Sequence, residues 1–321
     1  MYRGRRLRKN QVIRSMMKET VLTKRDLIYP LFVVEGENIC REIETLPGVY
    51  HYSIDRLCEA LDEMRGAQVL SCILFGIPNH KDACGTQACA QDGIVQRAIR
   101  FIKSYAPEIY VIGDVCMCEY TDHGHCGILN AEGDVMNDET LSYLNRIALS
   151  YAQAGIDMVA PSDMMDGHIA SIRQTLDSAG FQAVAIMGYS AKYASSFYGP
   201  FRAAANSAPS FGDRKGYQMD YANREEALRE LQADVDEGAD VLMVKPALAY
   251  LDIVKEAKEQ FSLPLAVYNV SGEYAVLKMA VDQGLVREEA IFESILAMKR
   301  AGADLIITYF ALYLARKIDE G

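Results

Sequence analysis

Three cysteines and an aspartate in one short stretch have the types and spacing of a metal site. The stretch IYVIGDVCMCEYTDHGHCG, residues 109–127, begins as an apolar run typical of a buried strand. Since successive strand side chains point to opposite faces, Asp114, Cys116 and Cys118 should share one side, and the following loop returns Cys126. Three thiolates can hold Zn²⁺ and leave its fourth position open for water or substrate, as catalytic zinc sites do.

The same spacing leaves other interpretations open. His123 or His125 could supply a fourth ligand and make the zinc site structural. Cys116 and Cys118 could instead form a redox pair, or the cysteines could be a cluster without a metal. Asp114 is unexpected beside a closed structural site, which does not need it.

Two lysines end apolar runs farther along the chain. Lys245 ends VLMVK, residues 241–245, and a lysine at the end of a buried strand is unfavourable unless it is paired or neutral. Burial or a nearby cation lowers the pKa of such an amine, and a neutral amine can attack a ketone to form a Schiff base. Lys192 closes the preceding strand, so each amine is expected to help keep the other deprotonated. A structural salt bridge at Lys245 is the alternative.

A long irregular segment, residues 190–223, is interpreted as an active-site lid. It is too long for an ordinary connection, and its aromatic residues argue against a flexible linker. It carries Arg202, Arg214 and Gln218, and guanidinium groups are suited to binding a carboxylate through two hydrogen bonds. A solvated surface loop is the alternative.

Two further candidates for anion binding lie at the ends of the last two predicted strands. Ser271, with Gly272 at a helix start, offers a hydroxyl and free backbone N–H groups to a carboxylate. Tyr309 could donate to the same anion. Helix capping by Ser271 and simple packing of Tyr309 are the alternatives.

Eight apolar, β-rich runs alternate with segments of helical period and must position these groups. The predicted strands are residues 27–35, 69–76, 109–117, 157–161, 183–189, 241–245, 265–270 and 305–309. This alternation implies an α/β fold with a parallel sheet, and eight units favour a (β/α)8 TIM barrel over an open doubly wound sheet. A barrel carries its chemistry at the C-terminal ends of the strands, where the lysines and thiols fall.

The composition excludes several classes of partner. The 321 residues are half hydrophobic and carry a formal net charge of −11, which argues against binding to nucleic acid or to an anionic membrane. No apolar run is long enough to span a membrane, and no apolar segment follows the start, so a cytoplasmic location with unpaired thiols is expected.

The first residues differ from the rest in charge. Residues 1–18 are basic, with no acid before Glu19. An organellar transit peptide has this bias, but an arm that docks on the acidic surface of a neighbouring subunit is favoured. The expected organisation is an N-terminal arm over residues 1–24 and a barrel over residues 25–321.

Taken together, several strings resemble one family. They are RRLRK, DVCMCEYTDHGHCG, APSDMMDG, SAKYASSFYGPFR, MVKPALAYLD and VYNVSGEY, spread over nearly the whole chain. On these motifs the chain is identified as a member of the porphobilinogen synthase family, also called 5-aminolevulinate dehydratase. The resemblance implies a (β/α)8 barrel with an N-terminal arm, usually a homo-octamer. It also implies condensation of two 5-aminolevulinate molecules to porphobilinogen with loss of two waters, in tetrapyrrole biosynthesis.

The resemblance implies roles residue by residue. Lys245 matches the lysine that forms the Schiff base with the first substrate, at the P site, and Lys192 matches the second lysine, at the A site. Asp114 matches an aspartate beside them. The implied carboxylate-binding residues are Ser271 and Tyr309 on the P side and Arg202, Arg214 and Gln218 on the A side.

The resemblance also bears on metals. Cys116, Cys118 and Cys126 match the zinc-dependent branch, and Glu230 matches a residue that binds an allosteric Mg²⁺ at a subunit interface in some bacterial members. The family motif usually has Arg where this chain has His168. From the sequence alone, His168 is interpreted as a helix-surface residue.

Two rival functions make different demands on the chain. A class I aldolase is also a Schiff-base barrel, but it needs one lysine and no metal, so the thiol cluster and the second lysine argue against it. A non-catalytic, zinc-stabilised assembly protein would unfold when chelated, whereas a catalytic zinc can be removed with the fold intact.

Overall fold

A closed barrel of parallel strands forms the body of the protein in the computed structural model, which describes residues 1–320. The strands are β1 (Leu27–Val34), β2 (Cys40–Ile43), β3 (Leu46–Tyr52), β4 (Ser71–Ile77), β5 (Tyr110–Val115), β6 (Met158–Pro161), β7 (Ala185–Lys192), β8 (Val241–Lys245), β9 (Leu265–Asn269) and β10 (Leu305–Thr308). The barrel strands are β1 and β4 to β10, and they are buried along most of their length, as both faces of a parallel barrel require.

Helices alternate with the barrel strands. They are α1 (Gln11–Met16), α2 (Leu57–Ala67), α3 (Ile94–Tyr105), α4 (Asn137–Ala154), α5 (His168–Ser178), α6 (Gly199–Ala204), α7 (Arg224–Glu237), α8 (Leu251–Gln260), α9 (Ser271–Asp282), α10 (Glu289–Ala301) and α11 (Ala311–Asp319). Glycines with positive φ follow α4, α7 and α10, because a left-handed residue ends the helix before the next strand begins.

The barrel closes where the first and last strands meet. Leu27 and Ile28 of β1 pair with Ile306 and Ile307 of β10, and β1 pairs along its length with β4. The (β/α)8 TIM barrel predicted from the sequence is therefore confirmed.

A short hairpin that the sequence did not predict extends the sheet. Strand β2 pairs antiparallel with β3, and β3 lies parallel to the C-terminal end of β1, with Phe32 opposite His51. Strand β2 has Arg41 and Glu42 at its centre, and β3 contains Pro47 and Gly48, so neither has the apolar pattern of the barrel strands. The hairpin supports the lid, because His51 Nε2 lies 2.7 Å from the carbonyl oxygen of Ala204 in α6.

Two predicted strand ends were wrong in ways that matter for the site. The run 183–189 continues to Lys192, because a register shift between Gly188 and Ala191 lets β7 keep pairing with β8. The run 109–117 ends earlier, at Val115, so the first two cysteines of the cluster lie just beyond β5. The alternation of side chains along a strand therefore ends at Val115 and does not determine where those cysteines point.

The predicted lid packs onto the barrel. Its first three residues belong to β7, and its middle contains α6. Tyr193 and Met219 form a β-bridge at the two ends of the segment, which anchors the lid on both sides. No helix in residues 1–320 is long and apolar enough to span a membrane.

Candidate active site

The two predicted lysines lie side by side at the barrel mouth. Lys192 ends β7, Lys245 ends β8, and the two residues are direct partners in the parallel ladder. Both side chains are buried, with 5% and 6% of their surface exposed. The sequence prediction that the two amines meet at one rim is therefore confirmed.

Lys245 occupies an aromatic pocket. Its Nζ lies 4.3 Å from the ring centre of Tyr268 and 4.9 Å from that of Tyr189, with Tyr198 and Phe201 at 5.3 and 5.4 Å. Burial, followed by the charge of Lys192, lowers the pKa of Lys245 from 10.5 to about 7. A substantial fraction of this amine is neutral near pH 7 and can act as a nucleophile.

A serine links the second lysine to the buried aspartate. Lys192 Nζ donates a hydrogen bond to the carbonyl oxygen of Ser162, and Ser162 Oγ donates to Asp114 Oδ2 at 3.1 Å. The other carboxylate oxygen, Oδ1, has no hydrogen-bond partner among residues 1–320. Burial and nearby Glu119 raise the pKa of Asp114 to about 7 although both lysines oppose the shift. Asp114 can therefore give or take a proton near neutral pH.

The three predicted thiols meet beside this group. Cys116, Cys118 and Cys126 are buried, and their sulfurs lie within 4.8 Å of one another, with 3.4 Å between the first two. Hydrogen bonds from the other two thiols hold the pKa of Cys126 well below its usual range, and the charge of Arg214 lowers it further. Hydrogen bonds within the cluster and burial raise the pKa values of Cys116 and Cys118 well above their usual range, so without a metal only Cys126 has thiolate character. Three buried sulfurs at this spacing fit Zn²⁺, which releases the thiol protons when it binds.

The neighbouring histidines are engaged elsewhere. His125 Nδ1 lies 3.1 Å from the hydroxyl of Tyr217, and its Nε2 lies 3.1 Å from the carbonyl oxygen of Phe211. His123 Nδ1 accepts the backbone N–H of His125 at 3.1 Å, and its Nε2 lies 3.3 Å from the carbonyl oxygen of Ala83. A metal held by the three sulfurs would keep its fourth position for a non-protein ligand.

Three polar side chains of the lid have buried atoms without hydrogen-bond partners. Arg202 Nε, Arg214 Nε and both amide atoms of Gln218 are buried without hydrogen-bond partners in residues 1–320. Burial and the charge of Arg214 lower the pKa of Arg202. Buried donors without partners are rare in folded proteins, and two guanidinium groups in one place favour an anionic ligand.

The other pair of predicted anion-binding residues is already hydrogen-bonded. Ser271 Oγ accepts the N–H of Phe201 at 2.9 Å and donates to the carbonyl oxygen of Phe197 at 3.3 Å. The hydroxyl of Tyr309 lies 3.0 Å from that of Tyr268, a ring of the Lys245 pocket. The two residues lie beside that pocket, with the lid backbone packed against Ser271.

The interpretation of His168 as a helix-surface residue was wrong. It is the first residue of α5, it is 4% exposed, and its ring contacts two buried carboxylates. No spacing in the sequence indicates this arrangement, because Asp163 is five residues away and Asp234 lies on α7. The shared surroundings arise from the packing of α5 and α7 behind β7.

Glu230 lies in the middle of α7 and not at the end of a barrel strand. It is half-buried on α7 and lines a cavity of about 520 Å³ together with Asp134, Asp166 and Glu226. Burial and the neighbouring carboxylates of Asp166 and Asp234 raise the pKa of Glu230. Unfavourable clustering of carboxylates is relieved by a bound cation.

The sequence did not identify the aromatic rings around Lys245 or the role of Ser162. The rings come from three separate elements, β7, the lid and β9, so no local spacing connects them. Ser162 directly follows β6, and only the rule that barrel chemistry lies at strand ends could have found it.

Comparison with known proteins shows the family of the chain. The model of the delta-aminolevulinic acid dehydratase family matches residues 1–317. Delta-aminolevulinic acid dehydratase of Halalkalibacterium halodurans is 54% identical over 319 residues, which cover 99% of this chain and 97% of the relative. The Bacillus subtilis protein of the same name is 53% identical, with 99% and 98% covered.

A solved structure is also similar throughout. It is delta-aminolevulinic acid dehydratase (porphobilinogen synthase) from Toxoplasma gondii ME49 in complex with the reaction product porphobilinogen. The TM-score is 0.97 at 41% sequence identity, and the match covers 100% of this chain and 92% of the other.

The fold and the paired lysines at the strand ends are those of a (β/α)8-barrel enzyme. Within that class, the chain belongs to the delta-aminolevulinic acid dehydratase family.

Proposed function

We propose that this chain is a porphobilinogen synthase, which condenses two molecules of 5-aminolevulinate to porphobilinogen with loss of two waters. The adjacency of Lys192 and Lys245 carries the proposal, because two amines at one rim can each hold one ketone substrate. The porphobilinogen bound in the Toxoplasma gondii relative supports the same product here.

Lys245 is the first nucleophile in this reaction. Its neutral amine bonds to the ketone carbon of one substrate, and the ketone oxygen leaves as water after taking up an amine proton and a second proton. Asp114, with its pKa raised to about 7, can supply that second proton. The aromatic rings that surround the nitrogen stabilise the resulting iminium cation.

Lys192 holds the second substrate in the same way. Its hydrogen bond to Ser162 fixes the amine beside Asp114, so one carboxyl group serves both nitrogens. The lid covers the two sites and excludes water, which would otherwise hydrolyse the imines.

The substrate carboxylates find two different partners. On the A side, Arg202, Arg214 and Gln218 offer their unsatisfied N–H groups. On the P side, Ser271 and Tyr309 bind the other carboxylate, with the Ser271 hydroxyl exchanging the Phe197 carbonyl for the substrate.

We assign the chain to the zinc-dependent branch of the family, with Cys116, Cys118 and Cys126 as the ligands. Their close approach and the engagement of both neighbouring histidines support this assignment. When bound, zinc supplies Lewis acidity to the A-side substrate. Glu230, among its acidic neighbours, is the candidate ligand for an allosteric Mg²⁺.

The N-terminal arm, residues 1–24, makes contacts between subunits of a homo-octamer in this proposal. Val12, Met16 and Val21 expose 62–71% of their surface, and exposed apolar side chains in one short segment favour contact with a neighbouring subunit. Deletion of residues 1–18 should produce smaller assemblies in analytical ultracentrifugation. We place the enzyme in the cytoplasm.

The direct test is to incubate the purified protein with 5-aminolevulinate and zinc and to assay for the pyrrole. Formation of porphobilinogen is expected, and chelation should abolish it while the circular dichroism spectrum stays unchanged. Absence of the pyrrole with zinc bound would refute the proposed reaction. Unfolding on chelation would favour the zinc-stabilised assembly protein.

A further inference from the structure

A buried histidine joins two carboxylates behind the strand that carries Lys192. His168 Nδ1 lies 3.0 and 3.1 Å from the two carboxylate oxygens of Asp163, and its Nε2 lies 3.6 Å from Asp234 Oδ1. Asp163 is fully buried and Asp234 is 6% exposed. Two carboxylates without a cation between them would repel at this depth, so the ring acts as the bridging charge.

The electrostatics agree with a charged ring. Burial alone would lower the pKa of His168, but the charges and hydrogen bonds of Asp163 and Asp234 outweigh burial and raise it well above the usual value. The ring is therefore an imidazolium at neutral pH, with both nitrogens donating toward oxygen.

The contact continues toward the reacting groups through one residue. Asp163 Oδ1 also accepts the N–H of Met165 at 2.8 Å, so its carboxylate holds the turn between β6 and α5. The residue before it is Ser162, whose carbonyl oxygen accepts Lys192 Nζ and whose hydroxyl donates to Asp114. A rotation of the Asp163 side chain would thus move Ser162, which is the hydrogen-bond partner of both Lys192 and Asp114.

We propose that His168 is a positioning residue: by holding both oxygens of Asp163, it fixes Ser162 and so sets the placement of the Lys192 amine relative to Asp114. His168 itself touches no substrate in this account. The inference rests on the proposed reaction at two lysines and adds a residue outside the barrel mouth to it. An arginine at this position would offer the same charge and two parallel N–H donors.

The test follows substrate attachment at each lysine separately. The parent enzyme and His168→Gln are incubated with 5-aminolevulinate, reduced with borohydride and mapped by peptide mass spectrometry. We expect His168→Gln to lose most of its adduct at Lys192 and to keep that at Lys245. Since a displacement near 1 Å can lower a rate about 100-fold, kcat should fall by about that factor with a smaller change in KM.

Matched variants separate positioning from folding. Asp234→Asn removes the other partner of the ring but leaves the contact with Asp163, so it should keep the Lys192 adduct. His168→Arg should restore both the adduct and kcat to within a few-fold of the parent. Because His168→Gln leaves two facing carboxylates and can fail to fold, Asp163→Asn, which keeps the side-chain shape, is measured in parallel and should also lose the Lys192 adduct.

The outcomes are distinguishable. Suppose that the parent enzyme forms the pyrrole and that the folded variants keep the parent's ratio of Lys192 to Lys245 adducts. That result would overturn the positioning role alone. Equal loss of both adducts would also overturn it, because that pattern indicates general damage to the barrel. A parent enzyme without an adduct at either lysine would overturn the two-lysine reaction and this inference with it.

Discussion

The two sides of the barrel mouth bury basic groups in opposite ways. Lys245 lies among four aromatic rings, and burial lowers its pKa to about 7. In the lid, Arg214 is buried and Arg202 is half-buried, but a guanidinium keeps its charge. Each arginine has a buried Nε without a partner in residues 1–320. The first environment produces a nucleophile, and the second produces a binding site for an anion. The role of a buried basic group is therefore set by its chemistry and its contacts, and not by burial alone.

The largest effect is expected when the nucleophile is removed. Lys245→Met should lower kcat on the order of 10⁴-fold, because the neighbouring amine of Lys192 is needed for the second substrate and cannot replace the lost nucleophile. Lys255→Met, on the exposed face of α8, should leave the rate unchanged. The rate of pyrrole formation is measured for both variants. Comparable losses in the two variants would remove the distinction between a nucleophilic and an ordinary lysine.

The same variant also tests the pKa argument through stability. The unfolded chain binds a proton at Lys245 below about pH 10.5, but the folded chain binds it only below about pH 7. Stability therefore rises with pH between these values, and the fold carries a penalty at pH 7 that methionine removes. Lys245→Met should melt at a higher temperature than the parent at pH 7, measured by calorimetry, and a lower melting temperature would contradict the depressed pKa.

A smaller loss is expected at the thiol cluster. Cys118→Ser should lower both zinc content and kcat, the latter by about 10³-fold, because Lewis-acid stabilisation contributes several kcal/mol to the transition state. Cys84→Ser, in a loop outside the cluster, is the control and should retain zinc. Zinc content is measured by atomic emission. Full zinc content in Cys118→Ser would show that the ion lies elsewhere.

The two lid arginines should differ from each other. Arg202→Gln should raise KM roughly 10- to 100-fold with little change in stability, which is the range expected for one charged hydrogen bond. Arg214 also donates to the carbonyl oxygens of Gly124 and Ser207, at 2.9 and 2.5 Å, so Arg214→Gln should raise KM and lower the melting temperature. Steady-state kinetics and thermal unfolding separate the two. An unchanged KM in both variants would end the anion-site assignment.

The mildest change is a change of pH. Below pH 7 the amine of Lys245 gains a proton and can no longer attack a ketone, so kcat/KM should fall about tenfold for each pH unit on the acid side. The lid arginines stay charged across this range and should not contribute. A rate that stays constant down to pH 5 would indicate that the amine is not the titrating group.

The barrel was predictable because its strands are buried on both faces and separated by helices of clear period. A short apolar run such as residues 241–245 predicts a buried strand, and the observed bounds of β8 agree with that prediction. The hairpin of β2 and β3 was not predictable in this way, because its strands lack a continuous apolar pattern and its pairing with β1 is a contact between separate elements.

The residues of the site likewise divide into those that the sequence predicts and those that it does not. Lys192 and Lys245 were predicted as neighbours because strand order and strand ends fix their positions. The bridge made by His168 was missed because Asp163 and Asp234 reach it from different elements and no periodicity relates them. Local pattern therefore identifies residues at strand ends, and it does not identify partners that meet only through helix packing.

The central claim is that Lys245 is a buried amine that bonds covalently to the first substrate. The most direct measurement is reduction of the enzyme with borohydride in the presence of 5-aminolevulinate, followed by peptide mass spectrometry. We predict a reduced substrate adduct on Lys245 that is absent from the Lys245→Met variant. An active enzyme with no adduct on Lys245 would contradict the account.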